Sequence, residues 1–159
     1  MQNKNLVVKK SRNGKGLFSK INFKKNEKIL KVVGKLITCD VADNIDEETR
    51  ANTYRYNKDL YLSPKGKLGN FINHSCNPNT KVAKEGKDLF IVAIKNIVKG
   101  KEIFFDYSTI TASDDIWEMK CNCDSIKCRH IIGQFKSLPK KLRNLYTSLE
   151  IVPSYILNI

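Results

Sequence analysis

Apolar residues come along this chain in short β-prone bursts separated by polar turns, and only near the end at a spacing that suits a helix. Leu6, Val7 and Val8 make a first strand, and the turn Gly14-Lys15-Gly16 lets the chain reverse before Leu17 and Phe18. Residues 27–37 read as one long strand-like run with Gly34 as a bend or bulge. Tyr54-Arg55-Tyr56 and Leu60-Tyr61-Leu62-Ser63 predict two strands split by a turn, and residues 82–83 and 89–94 a hairpin. Residues 38–49 allow a short helix capped by Asp43 or Asn44. At the end, Ser137 as N-cap, Pro139 in the first turn and Leu138, Leu142, Leu145 and Leu149 on one face predict a helix that Pro153 stops. The tail beyond it is too apolar to stay solvated, so it packs on the domain or in a dimer contact. Two segments, 23–29 and 97–103, share a pattern in which a polar turn separates an apolar residue from a returning strand.

Composition sharpens this picture of a mainly β chain. With 159 residues and 41% apolar content, one domain can bury about 70% of its unfolded surface. No apolar run approaches a membrane span, and the opening residues lack the apolar core of a signal peptide, so an intracellular protein is expected, in cytoplasm or nucleus. The net charge of +13 points towards nucleic acid, yet it comes from 24 Lys and 5 Arg in a chain rich in Asn and Ile. A codon bias towards A and T produces that balance, and arginine is the better phosphate reader. The acids are not evenly spread. Residues 36–49 hold Asp40, Asp43, Asp46, Glu47 and Glu48 with no base, and residues 102–119 hold Asp114, Asp115 and Glu118 with none.

Candidate chemistry centres on Gly69-Asn70-Phe71-Ile72-Asn73-His74-Ser75-Cys76-Asn77-Pro78-Asn79. No regular helix or strand asks for three nearby Asn, a His, a thiol and a Pro, and by itself this reads as a buried turn. Further on, Cys121, Cys123 and Cys128 are one thiolate short of a tetrahedral zinc site, and Cys76 can supply it; free thiols are the alternative. An odd five cysteines argue against a disulfide framework, and Cys39 falls outside the pattern. Residues 102–107, a Glu, three apolar residues and Asp-Tyr, read as a buried strand ending in a hydrogen-bonded tyrosine.

Taken together and in this order, the Gly-Lys-Gly-Leu-Phe loop, the 69–79 segment, the Asp106-Tyr107 ending and the cysteine set resemble SET-domain protein lysine methyltransferases with a post-SET zinc site. The resemblance implies a mainly β fold of several small sheets, with a knot-like crossing in which the segment after residue 69 threads beneath the last strand. It divides the chain into a SET domain (1–110), a post-SET zinc-binding segment (111–133) and a C-terminal helical extension (134–159). In the family, S-adenosylmethionine is the methyl donor. Lys15, Gly16 and Leu17 inherit its methionine end, Asn73 and His74 its adenine end through backbone and side-chain hydrogen bonds, and Tyr54 and Phe71 line the site. Tyr107 becomes the catalytic tyrosine, which also borders the cofactor. Phe105, two residues earlier, becomes the product-specificity position, where a phenylalanine goes with di- or trimethylation. Cys76, Cys121, Cys123 and Cys128 become the zinc ligands, and Ile131, Ile132 or Phe135 the apolar wall after them. Two departures stand out: Asn70 where an Arg is common, and His130 where Gly is usual. The base-free windows fall where the family's substrate groove has its walls. A groove lined by Asp114, Asp115 and Glu118 would suit a basic, lysine-containing tail of a histone or histone-like protein. The rival reading is a zinc-stapled basic module that binds nucleic acid or protein without turnover.

Overall fold

Short apolar bursts can each cover only a small patch of core, and the chain pairs them into sheets of two or three strands. The computed structural model describes residues 3–159. In chain order its strands are β1 (Leu6–Ser11), β2 (Gly14–Ser19), β3 (Lys28–Val32), β4 (Lys35–Thr38), β5 (Tyr54–Arg55) and β6 (Leu60–Ser63). They continue with β7 (Asn73–His74), β8 (Thr80–Glu85), β9 (Asp88–Ala93), β10 (Phe104–Phe105), β11 (Met119–Lys120) and β12 (Ile131–Ile132). β1–β2 and β11–β12 are antiparallel pairs, while β3-β9-β8 and β4-β6-β5 are antiparallel triplets.

The run 27–37 is two strands in two different sheets. They part at Gly34, where an added Cβ would sit 2.1 Å from the Ser63 carbonyl oxygen, so the bend requires a glycine. The bulge lies elsewhere, between Lys28 and Leu30. The acidic insert holds two short helices, α1 (Cys39–Asp43) and α2 (Glu47–Ala51), where the sequence suggested one. Their caps are Thr38 and Asp46, not Asp43 or Asn44, because each supplies a side-chain oxygen to an N–H in the first turn.

The last helices are α3 (Lys140–Ser148) and α4 (Ser154–Leu157). Pro139, not Ser137, precedes α3 as its cap. Its inward face is Leu142 and Tyr146, with Leu138 buried just ahead of it, whereas Leu145 and Leu149 are exposed. A tyrosine, apolar in body and polar at its tip, takes the buried place the leucine pattern suggested for Leu145 and Leu149. The tail does pack on the domain: Ile151, Val152 and Ile156 join Ala112, Phe135 and Tyr146 in a second core. The main core gathers Leu17, Ile72, Ile91 and Ile103, all at 1% exposure or less.

One pairing positions everything functional. β7 and β10 run parallel, so after leaving β7 the chain must return to the end where β7 began before it enters β10, and the β8–β9 hairpin lies in that connection. Asn79 locks that join, accepting from the Phe104 N–H at 2.8 Å and donating to the Glu102 carbonyl at 2.7 Å. Among the described residues no helix is long and apolar enough to cross a membrane.

Candidate active site

β10 ends by delivering Asp106 and Tyr107 into a 3-10 turn, Tyr107–Ile110, which the Asp106 carboxylate caps by accepting from the Ser108 N–H at 3.1 Å. That turn aims the Tyr107 ring into the core. Its hydroxyl donates to the Ile72 carbonyl at 2.8 Å, and its ring centroid lies 4.8 Å from Phe105, 5.4 Å from His74 and 6.4 Å from Trp117. Burial, aided by the negative charge of Glu102, holds the phenol well above its ordinary value. At neutral pH it is a hydrogen-bond donor and not a base.

Tyr107 borders a cleft of about 1120 Å³. Gly14 and Lys15 form one rim, Phe71, Asn73 and His74 the floor, and Trp117 and Met119 the approach from the cysteine tail. The rim is tied down by Glu102, which accepts from the Ser11 hydroxyl at 2.8 Å and from the Asn73 amide at 2.7 Å. The chain reverses at Arg12-Asn13, not at 14–16, and Gly16 lies within β2, where an added Cβ would meet that carboxylate at 2.1 Å, so the second glycine is what lets the strand close on it. Asn73 also donates to the Lys15 carbonyl at 3.1 Å. Among the described residues Gly16, Leu17, Tyr54 and Phe105 stand behind this wall, not on it. Tyr54 is 2% exposed, stacks on Phe105 with centroids 5.5 Å apart and gives its hydroxyl to the Gly69 carbonyl. Of the three candidates for the apolar wall, Ile131 and Ile132 line the cleft, while Phe135 belongs to the second core.

The thiols converge beneath the same floor. Donor atoms of His74, Cys76, Cys121 and Cys123 all lie within 4.8 Å of one another, with Cys76 and Cys121 sulfurs 3.8 Å apart. Cys128 lies beside the group, its thiol 3.8 Å from the Cys121 carbonyl. His74 stands within this group with both ring nitrogens engaged in hydrogen bonds. Its Nδ1 accepts from the Tyr107 N–H at 3.1 Å, so the neutral ring carries its proton on Nε2, 3.2 Å from the Cys76 sulfur. Burial keeps that ring neutral by pushing it down to about 4, despite the nearby Asp106 carboxylate. A ring that donates to a sulfur is an outer partner of a thiolate site. Backbone N–H groups of Cys76 and Arg129 likewise point at the sulfurs of Cys123 and Cys76, at 3.5 and 3.4 Å. Three converging thiols with Cys128 alongside, met by N–H donors and with no disulfide among them, suit a thiolate-rich metal site. His130, where the family has Gly, sits at φ +65, the left-handed conformation that glycine adopts most easily.

Next to the thiols, Arg129 makes a two-pronged contact with Asp106, at 2.7 and 2.8 Å. Tyr146 of α3 adds a hydrogen bond to the same carboxylate at 3.0 Å. The residue before Tyr107 is therefore held by the cysteine tail and by the C-terminal helix.

The acids behave differently from expectation. Asp115 is 4% exposed and accepts from Arg50 at 2.9 Å, from Arg55 at 3.1 Å and from the Tyr61 hydroxyl. Asp114 pairs with Arg55 at 2.9 Å. Neither lines the cleft: two arginines far back in sequence hold Asp115 in the interior, while Asp114 stays exposed and is turned towards Arg55. Glu118 does line it, joined by Glu47 and Glu48 from α2. Sequence reasoning also passed over Trp117, whose indole N–H is buried with no partner among the described residues. A lone tryptophan inside a base-free window was the available signal.

The SET-domain family model matches residues 14–108, from the glycine loop to just past Tyr107. The chain is 33% identical over 126 residues to an H3 lysine-4 specific histone-lysine N-methyltransferase of Schizosaccharomyces pombe, covering 72% of this chain and 13% of that protein. It is 28% identical over 146 residues to histone-lysine N-methyltransferase ASHH3 of Arabidopsis thaliana, covering 84% of this chain and 39% of that one. With histone-lysine N-methyltransferase 2B of Homo sapiens it shares 28% over 138 residues, 80% of this chain and 5% of the human protein. The chain thus spans well under half the length of these curated relatives.

Proposed function

The chain belongs to the SET-domain family, and we propose that it transfers methyl groups from S-adenosylmethionine to the side-chain amine of a lysine in a basic protein segment, histone or histone-like. The relatives named above are histone-lysine methyltransferases, which supports the reaction class. The observation that carries the reading is the buried, protonated Tyr107 phenol at the junction of the cleft and a small cavity of about 20 Å³ that it also lines.

When bound, S-adenosylmethionine supplies an electrophilic methyl on a positively charged sulfur. The chain's residues then have to position an amine and keep it neutral. Neutralising a lysine at pH 7 from a pKa near 10.4 costs about 4–5 kcal/mol, which an apolar surround lowers by disfavouring the ammonium. Tyr107 and Trp117 provide that surround, backed by Phe105 packed against the Tyr107 ring, and the Tyr107 hydroxyl orients the reactants without taking a proton. The cofactor would lie along Gly14, Lys15, Asn73 and His74. The amide nitrogen of Asn73 and the ring of His74 are spent inside the protein, which leaves backbone groups for an adenine edge. The Ser75 N–H donates to Phe105, so by alternation the peptide groups of His74 face away from β10. Cys76, Cys121, Cys123 and Cys128 would hold zinc, fastening the tail against the floor. Phe105 offers no hydroxyl to hold the amine, and the Tyr54 hydroxyl beside it is taken by Gly69, so di- or trimethyl-lysine is the expected product.

Mass spectrometry of a basic peptide after incubation, alongside calorimetric cofactor binding, tests this reading. Tyr107→Phe should lower turnover on the order of 100-fold or more while cofactor affinity stays within a few-fold. Turnover within about threefold of wild type would remove Tyr107 from the mechanism. A wild type that stops at monomethyl-lysine on its best peptide would overturn the role given to Phe105.

A further inference from the structure

The base-free windows have a counterpart on the other side of the molecule. No Asp or Glu occurs before Glu27, and none between Asp88 and Glu102. The fold brings these two acid-free stretches together. The turns 19–27 and 95–101, which run into the two segments with a shared pattern, dock side by side through a Phe23–Ile97 bridge with reciprocal hydrogen bonds at 2.8 and 2.9 Å. Their side-chain amides cross-brace them: Asn22 accepts from the Lys99 N–H at 2.7 Å, and Asn96 from the Lys25 N–H at 2.9 Å. Ser19 exchanges backbone bonds with Gly100 and Lys101, both at 2.9 Å. Phe23 and Ile97, each 3% exposed, anchor the platform from beneath.

Lysine dominates what this platform shows to solvent, beside the amides of Asn22, Asn26 and Asn96, the exposed Ile21 and Val98, and Glu27 at its border. Lys20, Lys24, Lys25, Lys95, Lys99 and Lys101 are all exposed, and among the described residues none of them makes an ion pair. That separates them from Lys28 and Lys31 on the adjoining β3, which are paired with Glu85 and Asp88. Glu27, at the border of the platform, is used to accept from the Lys24 N–H. Six uncompensated charges on two braced turns repel one another, and neither turn needs a lysine to form. Ammonium groups on a rigid frame, without arginine forks or exposed aromatic rings, suit phosphate oxygens and carry no means of reading bases.

We propose that this edge docks on the phosphate backbone of duplex DNA without sequence preference. The choice of DNA rests on the function proposed above, since a basic acceptor protein is itself a companion of DNA. The β1–β2 hairpin separates the platform from the cleft: Gly14 stands at the cleft end and Ser19 at the platform end, about 17 Å apart along the strand. DNA held at the edge therefore leaves the cleft open to a protein segment.

Fluorescence anisotropy of the full chain with a mixed-sequence duplex of about 20 base pairs, titrated between about 50 and 200 mM salt, tests the proposal. Replacing Lys24, Lys25, Lys99 and Lys101 by Gln should weaken binding at least about tenfold at the low-salt end and make the log–log salt slope shallower by about 3. A control with the same net charge, Lys65, Lys67, Lys140 and Lys141 to Gln, should stay within about threefold of wild type. Thermal melts confirm that both variants fold. Methyl transfer to a free basic peptide should be the same in the platform variant as in wild type, so the docking surface and the reaction stand or fall on separate readouts. No binding at low salt, equal loss in both variants, or capture of a poly-glutamate peptide in place of the duplex would each overturn the proposal.

Discussion

Asp106 and Asp115 are both buried, at 1% and 4% exposure, and each is gripped by arginine and by a tyrosine hydroxyl from a distant element. The partners of Asp106 come from later in the chain, Arg129 in the cysteine tail and Tyr146 in α3. Those of Asp115 come from earlier, Arg50 at the end of α2 and Arg55 and Tyr61 in the β4-β6-β5 sheet. Asp106 is the neighbour of Tyr107 and shares its turn, so its knot couples the tail to the site. Asp115 ties the acidic insert to the stretch leading into the tail, and its N-terminal neighbour Asp114 is used the same way. Two similar constructions thus have different expected outputs, turnover for one and folded stability for the other.

Removing the Asp115 charge separates them most sharply. Asp115→Asn leaves Arg50 and Arg55 sharing no carboxylate at their centre, a change that costs about 3–5 kcal/mol when one partner of a buried pair is lost. For a domain of this size the midpoint of thermal unfolding should fall by about 10 °C. Turnover of the folded protein, measured well below that midpoint, should stay near wild type. Asp106→Asn should lose comparable stability and also turnover, because an amide can still cap the turn that aims Tyr107 but offers Arg129 no charge and only one acceptor oxygen. Equal turnover in the two variants at low temperature would erase the distinction.

The second test acts on the metal side of the Asp106 knot. Cys123→Ser, or removal of zinc by a chelator, should abolish methyl transfer with only partial loss of folded structure by circular dichroism. The three-stranded β3-β9-β8 sheet has no thiol in it, whereas Arg129 follows directly on Cys128. Protein with under about half an equivalent of zinc and full activity would show that the tail is held without metal.

What the chain disclosed beforehand divides along the same line. The 69–79 segment, the cysteine spacing and Asp106-Tyr107 were legible because each is a local pattern whose residue types make sense only near one another. The mutual pairings were not, since an ion pair between residues 60 positions apart leaves no period. Asp115 read as an open acid because its window holds no base, but charge along a chain is not charge in space. A signal existed at the other end: Arg55 stands between Tyr54 and Tyr56 in an otherwise apolar strand, and a guanidinium there calls for a buried acid elsewhere. The α3 face was misjudged for a related reason. The leucine pattern favoured Leu145, whereas the position that meets Asp106 needed a hydroxyl on a side chain long enough to reach it, which Tyr146 supplies.

Tyr146→Phe tests that last contact and should have a smaller effect. Losing one hydrogen bond to a charged group costs about 1.5–3 kcal/mol at most, and the ring stays in the second core. A modest fall in kcat, with KM for peptide unchanged, would show that α3 positions the Asp106 turn. A fall in melting temperature with unchanged kcat would reduce Tyr146 to packing.

The smallest effect concerns the acids that neither knot consumes. Glu47 and Glu48 in the first turn of α2 and Glu118 before β11 all border the cleft and are exposed. No ion pair occupies them among the described residues. They form the acidic wall that Asp114 and Asp115 do not, and a lysine- or arginine-rich segment would be steered to it. Exposed charges act weakly one at a time, and at 0.1 M salt their field fades within about 10 Å. Replacing all three by Gln should therefore raise KM for a basic peptide only on the order of threefold at low salt, flatten its salt dependence and leave kcat alone. Asp114→Asn is the informative control, since its carboxylate is turned towards Arg55. If that single change moves KM as far as the triple replacement, the substrate follows the Asp115 side of the molecule, and the two knots are not as separate as their geometry makes them.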